Sequence, residues 1–243
     1  MIGAGAIRTQ LDANGFALVP GLIERGEATT IAALCPDHSN GGLRNALTEA
    51  PALRRLVSSP SVRSLMTALL SETPILSRVI LFDKSPNANW SLGFHQDIVI
   101  AVRERFDVEG FGPWSTKSGV PHVRPPASVL ADMVTLRIHL DDCGPDNGAL
   151  QVIPGSHRSG YLDEAAVAEW VRQPAVTCTA RAGDAVVMRP LVLHASGKAV
   201  APSHRRIAHF EFAPRPLPLP LRWNSPLSAD SPPSSAGHLP QRA

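Results

Sequence analysis

The strongest constraint on this chain is a change of period at Pro74. Downstream, short β-type runs alternate with Pro, Gly and Asn-Gly turns: ILSRVILF, TLRIHL (135–140), ALQVIP (149–154), DAVVMRPLVLH (184–194) and RIAHFEF (206–212). Upstream, ERGEATTIAALC, LRNALTEA and SPSVRSLMTALLSE carry apolar residues at i, i+3, i+4 and i+7, the mark of helices with one buried face, the last with Ser61 near its N-cap. Between Gly15 and Leu22, GFALVPGL reads as a short strand and turn. Helices first and strands later predict a mostly β fold, a double-stranded β-helix (a jelly-roll or cupin-like barrel) braced by N-terminal α-helices. Residues 101–127 fit neither period and read as a long irregular excursion, which in a compact domain is functional or disordered.

At 243 residues, 44% apolar and 18% charged, the chain suits one globular domain, and no apolar run approaches the ~20 residues of a membrane span. The N-terminus lacks a basic stretch followed by a long apolar core, so a cytoplasmic location is expected. A formal charge of +2 leaves no nucleic-acid footprint. Cys35, Cys143 and Cys178, odd in number and widely spaced, form no disulfide framework and read as small buried hydrophobes. From Pro214 the chain turns Pro- and Ser-rich, with few apolar residues to offset the entropy of ordering. The expected organisation is a catalytic domain over 1–213 and a disordered tail over 214–243.

On a strand, residues i and i+2 point the same way, so His-x-Asp aims an imidazole and a carboxylate at one point, two of the three ligands of a facial metal site. The motif alone is weak. With 9 His and 21 acidic residues about one chance match is expected, and the chain has three: His95-Gln96-Asp97, His139-Leu140-Asp141 and His209-Phe210-Glu211. Context favours the first. His194 ends a β-type run, a turn-rich stretch follows, and Arg205-Arg206 opens the next strand, so a hairpin return would bring a guanidinium, suited to bidentate pairing with a carboxylate, near the metal end.

The ordered set NWSLGFHQD, RIHLDDCGPDNGALQVIPGSHRSG and GDAVVMRPLVLHASGKAVAPSHRR resembles the phytanoyl-CoA dioxygenase family of iron(II)/2-oxoglutarate oxygenases, over about residues 10–213. The resemblance implies that His95, Asp97 and His194 bind iron. It further implies that Arg205, eleven residues after His194, pairs with the distal carboxylate of 2-oxoglutarate, assisted by Ser196. Arg137 is a candidate for the co-substrate pocket, or else for a salt bridge with Asp141 or Asp142. Gln96 and Ile80 are candidates for its border, against strand and core roles. Halogenases related to the family lack the carboxylate ligand, so Asp97 implies hydroxylation or another oxidation, with Fe(II), 2-oxoglutarate and O₂ consumed and succinate and CO₂ released.

DNGALQVIPGSH reads as scaffold that sets strand register, with His157 structural. Trp90, Phe111 and Trp114 offer an apolar wall or ordinary packing, and Arg103, Arg105, His122 and Arg124 a basic lid or a solvated surface. The expected partner is a small molecule, possibly carboxylated, with no nucleic acid and no membrane. Two alternatives stay open: a cupin-like metal-dependent isomerase or hydrolase, and a jelly-roll binding protein with a vestigial site.

Overall fold

The computed structural model describes residues 3–37, 42–44, 46–70 and 73–225. In chain order its elements are helix α1 (Ala4–Asn14), strand β1 (Phe16–Val19), α2 (Arg25–Ala33), β2 (Leu43–Arg44), α3 (Ala46–Glu49), α4 (Leu53–Ser58) and α5 (Pro60–Leu70). Then follow β3 (Ile75–Lys84), β4 (Leu92–His95), β5 (Ile100–Ala101), β6 (Trp114–Lys117), β7 (Val120–Val123), α6 (Ala127–Asp132), β8 (Val134–His139) and β9 (Leu150–Val152). The chain continues through α7 (Glu164–Trp170), β10 (Val176–Cys178), β11 (Ala185–Met188), β12 (His194–Ser196) and β13 (Arg205–Ala213).

All paired strands in these sheets are antiparallel. Six form one sheet in the order β1-β11-β8-β13-β3-β2, and four form a second in the order β10-β9-β12-β4. The two sheets are the walls of the expected jelly-roll barrel. Helices cover the outer face of the larger sheet: Val79, Leu81, Leu136, Ile138, Ala208 and Phe210 share one core with Leu53, Leu56, Met66 and Leu69. In α5, buried Val62, Leu65, Met66, Leu69 and Leu70 repeat with helical period. Its cap lies at Ser59, whose Oγ accepts from Val62 N at 3.3 Å, with Pro60 as the first helical residue, so the start precedes the expected Ser61.

Three segments depart from the sequence expectation. First, DAVVMRPLVLH is two strands in different sheets. Arg189–Leu193 breaks the run, so β11 stays in the larger sheet while β12 enters the smaller one. The β12–β13 connection is therefore a crossing between sheets, not a hairpin. Second, the 101–127 excursion folds partly into a sheet ordered β5-β7-β6, with Ser118 (φ 49°) and Gly119 (φ 76°) making the tight turn between β6 and β7.

Third, order does not stop at Pro214. Leu217, Leu221 and Trp223 are buried in a second core with Ile100, Val102, Val123, Leu130 and Met133. Trp223 Nε1 donates to Arg215 O at 2.9 Å, and Arg103 N to Arg222 O at 3.0 Å. Proline does not prevent this, because an extended segment can bury side chains and pair its remaining amides without forming a regular element. Packing thus continues past the expected boundary to Trp223, and the part of the expected tail after Ser225 lies outside the described residues. The unanticipated α1 buries only Ile7 and Leu11, and Gly15 (φ 82°) ends it with its N–H on Leu11 O. Among the described residues, no helix is long and apolar enough to cross a membrane.

Candidate metal and co-substrate site

The site starts from strand register. β4 and β12 are neighbours in the smaller sheet, and His95 lies directly opposite His194, their ring centroids 4.3 Å apart. Just beyond β4, Asp97 is held by its own backbone, whose N–H donates to Pro190 O at 2.9 Å in the break between β11 and β12. One ligand atom each from His95, Asp97 and His194 lies within 4.8 Å of the others, and His194 Nε2 is 3.8 Å from Asp97 Oδ2.

The hydrogen bonds select the tautomers. His95 Nδ1 is 2.8 Å from Gly93 O, and His194 Nδ1 is 2.9 Å from Val192 O. A carbonyl only accepts, so each Nδ1 carries the proton and each Nε2 is left with a lone pair, the form a metal binds. Burial pushes the pKa of His194 down to about 4, outweighing the attraction of Asp97, so the ring is neutral at physiological pH. Burial would raise Asp97, but His194, His209, Arg78 and His95 outweigh it and hold the carboxyl well below the ordinary carboxylate range.

The same reasoning separates the other two His-x-acid pairs. Asp97, His209 and Glu211 also lie within 4.8 Å. Yet Arg137 Nη1 donates to His209 Nδ1 at 3.0 Å, so the proton sits on Nε2, which donates to Glu211 Oε1 at 3.2 Å. Glu211 also takes a guanidinium hydrogen bond from Arg78. His209 has no lone pair to spare, and Arg78, Glu211, His209 and Arg137 form one hydrogen-bonded chain in which only the Arg78–Glu211 link is an ion pair and Nε of each arginine is left without a partner. His139 and Asp141 part company: the buried His139 ring, pushed to about 3 by burial and by Arg137 and Arg205, has neither nitrogen bonded, while Asp141 pairs with Arg206.

Across the interior from β12, β13 alternates. Arg206, Ala208 and Phe210 turn outward, where Arg206 pairs with Asp141 at 2.8 Å and donates to Ala32 O at 2.6 Å. Arg205 turns inward and is 1% exposed. Its Nη1 donates to Gly148 O and lies 3.4 Å from Ser196 Oγ, while Nε and Nη2 are buried without a partner. Lys84, opposite Arg205 in the β3–β13 register, donates to Ser196 Oγ at 2.9 Å and to Gly197 O. Burial and Arg205 lower its pKa to about 8. A Cβ at Gly148 (φ 62°) would stand 2.7 Å from Lys84 Nζ and 2.6 Å from Gly197 O, so only glycine leaves this corner open.

Two buried cations whose side chains bond no carboxylate, one of them with two unused donors, are costly unless an anion joins them. The corner therefore fits a carboxylate. Lys84 escaped the sequence analysis, although a signal existed: Arg78, Ile80, Phe82 and Lys84 share one face of β3, with charges at both ends of an apolar stretch.

The triad opens into a cavity of about 750 Å³, also lined by Ile80, Phe82, Trp90, Arg137, Ser196 and His209. Arg137 faces this cavity and pairs with neither Asp141 nor Asp142. Gln96 touches it too, but its amide serves the scaffold: Nε2 donates to Leu191 O at 2.7 Å and to Gly160 O at 2.8 Å, and Oε1 accepts from Leu162 N at 3.0 Å. Of the aromatic candidates, Trp90 reaches the cavity, whereas Phe111 and Trp114 pack against the second core. The basic-lid candidates go elsewhere. Arg105 reaches Asp107 at 3.7 Å, Arg124 lies over the Tyr161 ring, and Arg103 is tied to the C-terminal segment through its backbone. All three cysteines are free, Cys143 and Cys178 buried and Cys35 half-buried.

Residues 27–207 match the family model for phytanoyl-CoA dioxygenase (PhyH). The chain belongs to the phytanoyl-CoA dioxygenase family. Iron(II) and 2-oxoglutarate are this family's cofactor and co-substrate, and the two imidazoles, carboxylate and cationic corner provide the donors both require. No curated protein matches significantly in sequence. Solved structures share the fold. The 2-oxoglutarate-dependent non-haem epimerase SnoN from nogalamycin biosynthesis is 19% identical, with TM-score 0.63 over 94% of this chain and 96% of its own. The carbocyclase SnoK from the same biosynthesis is 19% identical, with TM-score 0.65 over 86% and 83%. EctD from S. alaskensis, solved with 2-oxoglutarate and 5-hydroxyectoine, is 18% identical, with TM-score 0.65 over 87% and 76%.

Proposed function

We propose that this member of the family is an iron(II)- and 2-oxoglutarate-dependent dioxygenase that oxidises a small organic metabolite. In this reading His95, Asp97 and His194 hold the metal, and Arg205, with Lys84 and Ser196, holds the distal carboxylate of 2-oxoglutarate. The observation that carries it is the buried guanidinium of Arg205, two of its nitrogens unpartnered, on the strand facing a triad whose imidazoles present free Nε2 lone pairs.

Bound iron(II) with 2-oxoglutarate supplies the oxidising chemistry, consuming O₂ and yielding succinate and CO₂. The chain's own part is binding and orientation. Gly93 and Val192 carbonyls fix the rings of His95 and His194, while the backbone bond to Pro190 fixes Asp97. Ile80, Phe82 and Trp90 offer an apolar wall that limits water, and the network through His209 keeps Arg137 oriented beside the cavity. With a carboxylate in the third ligand position, the reading favours hydroxylation or another oxidation over halogenation.

Anaerobic addition of iron(II) and 2-oxoglutarate should produce a charge-transfer absorbance, and air should then release succinate, stimulated by the true substrate in a metabolite screen. Asp97→Ala should stay folded and lose both signals. Wild-type rates in that variant, or metal binding without succinate, would sink the assignment, the second result favouring a metal-dependent isomerase or hydrolase.

A further inference from the structure

The cavity carries more positive charge than iron and 2-oxoglutarate call for. Arg44 on β2, Arg78 on β3 and Lys117 at the end of β6 line it together with the triad. Arg78 is taken by Glu211. Arg44 and Lys117, both half-buried, have no hydrogen bond or ion pair among the described residues, and of the acids whose charge acts on them Glu211 is taken by Arg78 and His209 and Asp97 belongs to the proposed metal triad. Burial first, and then the neighbouring cations, lower the pKa of both, and the charges of Glu211 and Asp97 offset this only in part. His122, packed beside them, gives its Nδ1 proton to Val120 O and offers only a lone pair, so it does not serve an anion.

This cluster is separate from the Arg205 corner. Arg205 lies opposite Lys84 in the β3–β13 register and Arg44 opposite Ile80 in the β2–β3 register, four residues and roughly 13 Å apart along β3, and Lys117 gathers with Arg44 and Arg78. Between them the wall is apolar, with Phe82 on β3 and Trp90 packed 6.0 Å from it, ring to ring. The β6–β7 turn adds Ser118, whose φ of 49° is uncommon for a residue other than glycine, and which also lines the cavity.

We propose that Arg44 and Lys117 bind an anionic group of the substrate, a phosphate or a carboxylate, so that the substrate is an amphiphilic anion anchored at the end of the cavity away from Arg205. The inference rests on the dioxygenase reading for its meaning but not for its test. The full-length protein without iron is titrated calorimetrically with phenyl phosphate and with phenylacetate, the two arms separating the two anions. At least one should bind. Binding should weaken about tenfold or more in Arg44→Gln and in Lys117→Gln, return in part in Arg44→Lys, and hold in Arg205→Ala. The iron(II)–2-oxoglutarate absorbance should be unchanged in the Arg44 and Lys117 variants. The proposal is overturned if neither anion binds the wild type, if binding survives both Gln substitutions, or if Arg205→Ala abolishes it equally. Anion binding that follows the cluster in a protein giving no iron(II)–2-oxoglutarate absorbance would retain this site and remove the dioxygenase reading alone.

Discussion

Arg205 and Arg206 are adjacent in sequence and differ in every physical respect that matters. Arg205 is buried with donors unused, and Arg206 is saturated by Asp141 and the Ala32 carbonyl on the helical side. Losing a desolvated partner of a bound carboxylate costs about 2–5 kcal/mol, and each 1.4 kcal/mol is tenfold. Arg205→Ala should therefore raise the 2-oxoglutarate requirement for succinate formation roughly 30-fold or more. Arg206→Ala should shift it far less and lower thermal stability instead. The reverse ordering would put Arg206 in the pocket. Lys84 makes a pH-dependent contribution. Its folded pKa, about 8, lies below the ordinary lysine value, so the metal-free protein favours the neutral amine and should gain stability as pH rises from about 8 towards the ordinary value. A bound carboxylate needs the charged form, so co-substrate affinity should fall as pH rises through about 8, and Lys84→Met should flatten that slope. A slope unchanged in Lys84→Met would exclude the amine from the corner.

At the scale of elements, the triad depends on segments that hold β4 and β12 in place. Ser156 is fully buried; its Oγ donates to Ile153 O at 2.8 Å and accepts from Leu193 N at 2.8 Å, fixing the residue before His194. Leaving that buried N–H unsatisfied costs about 1–3 kcal/mol. Ser156→Ala should lower stability by that amount, with iron affinity falling more than 2-oxoglutarate affinity, since Arg205 stands on the other sheet. Equal losses would mean that the two sheets move together. Sequence period located β3, β8, β9 and β13, because each alternates or runs apolar between turn residues. It missed the β6–β7 hairpin, whose Ser-Gly turn is flanked by short strands only half covered. It also joined β11 to β12, since a run of apolar residues through Arg-Pro reads continuously unless the two halves are known to face different sheets.

For the molecule as a whole, the segment after Pro214 is the most informative. Leu217, Leu221 and Trp223 close the second core, and fully burying a large apolar side chain contributes about 1.5–3 kcal/mol. A chain ending at Pro214 should lose several kcal/mol in urea denaturation relative to one ending at Ser225, which keeps all three. Equal midpoints would show that the segment only rests on the surface. Sequence by itself determined the class of fold, through the switch from helical to β period at Pro74, and the residue types of a metal site, through His-x-Asp and a distant His. It could not separate three His-x-acid pairs, because local spacing gives all of them a shared strand face. The tertiary structure sets them apart by their surroundings: the partners of each imidazole nitrogen leave a lone pair on His95 and His194, give His209 to Glu211, and leave His139 beside two guanidiniums. It also decided which cations line the cavity, because Arg44, Arg78, Lys117 and Arg137 come from four strands whose pairing no local pattern encodes, whereas the lid arginines that the sequence set beside the motif found other partners.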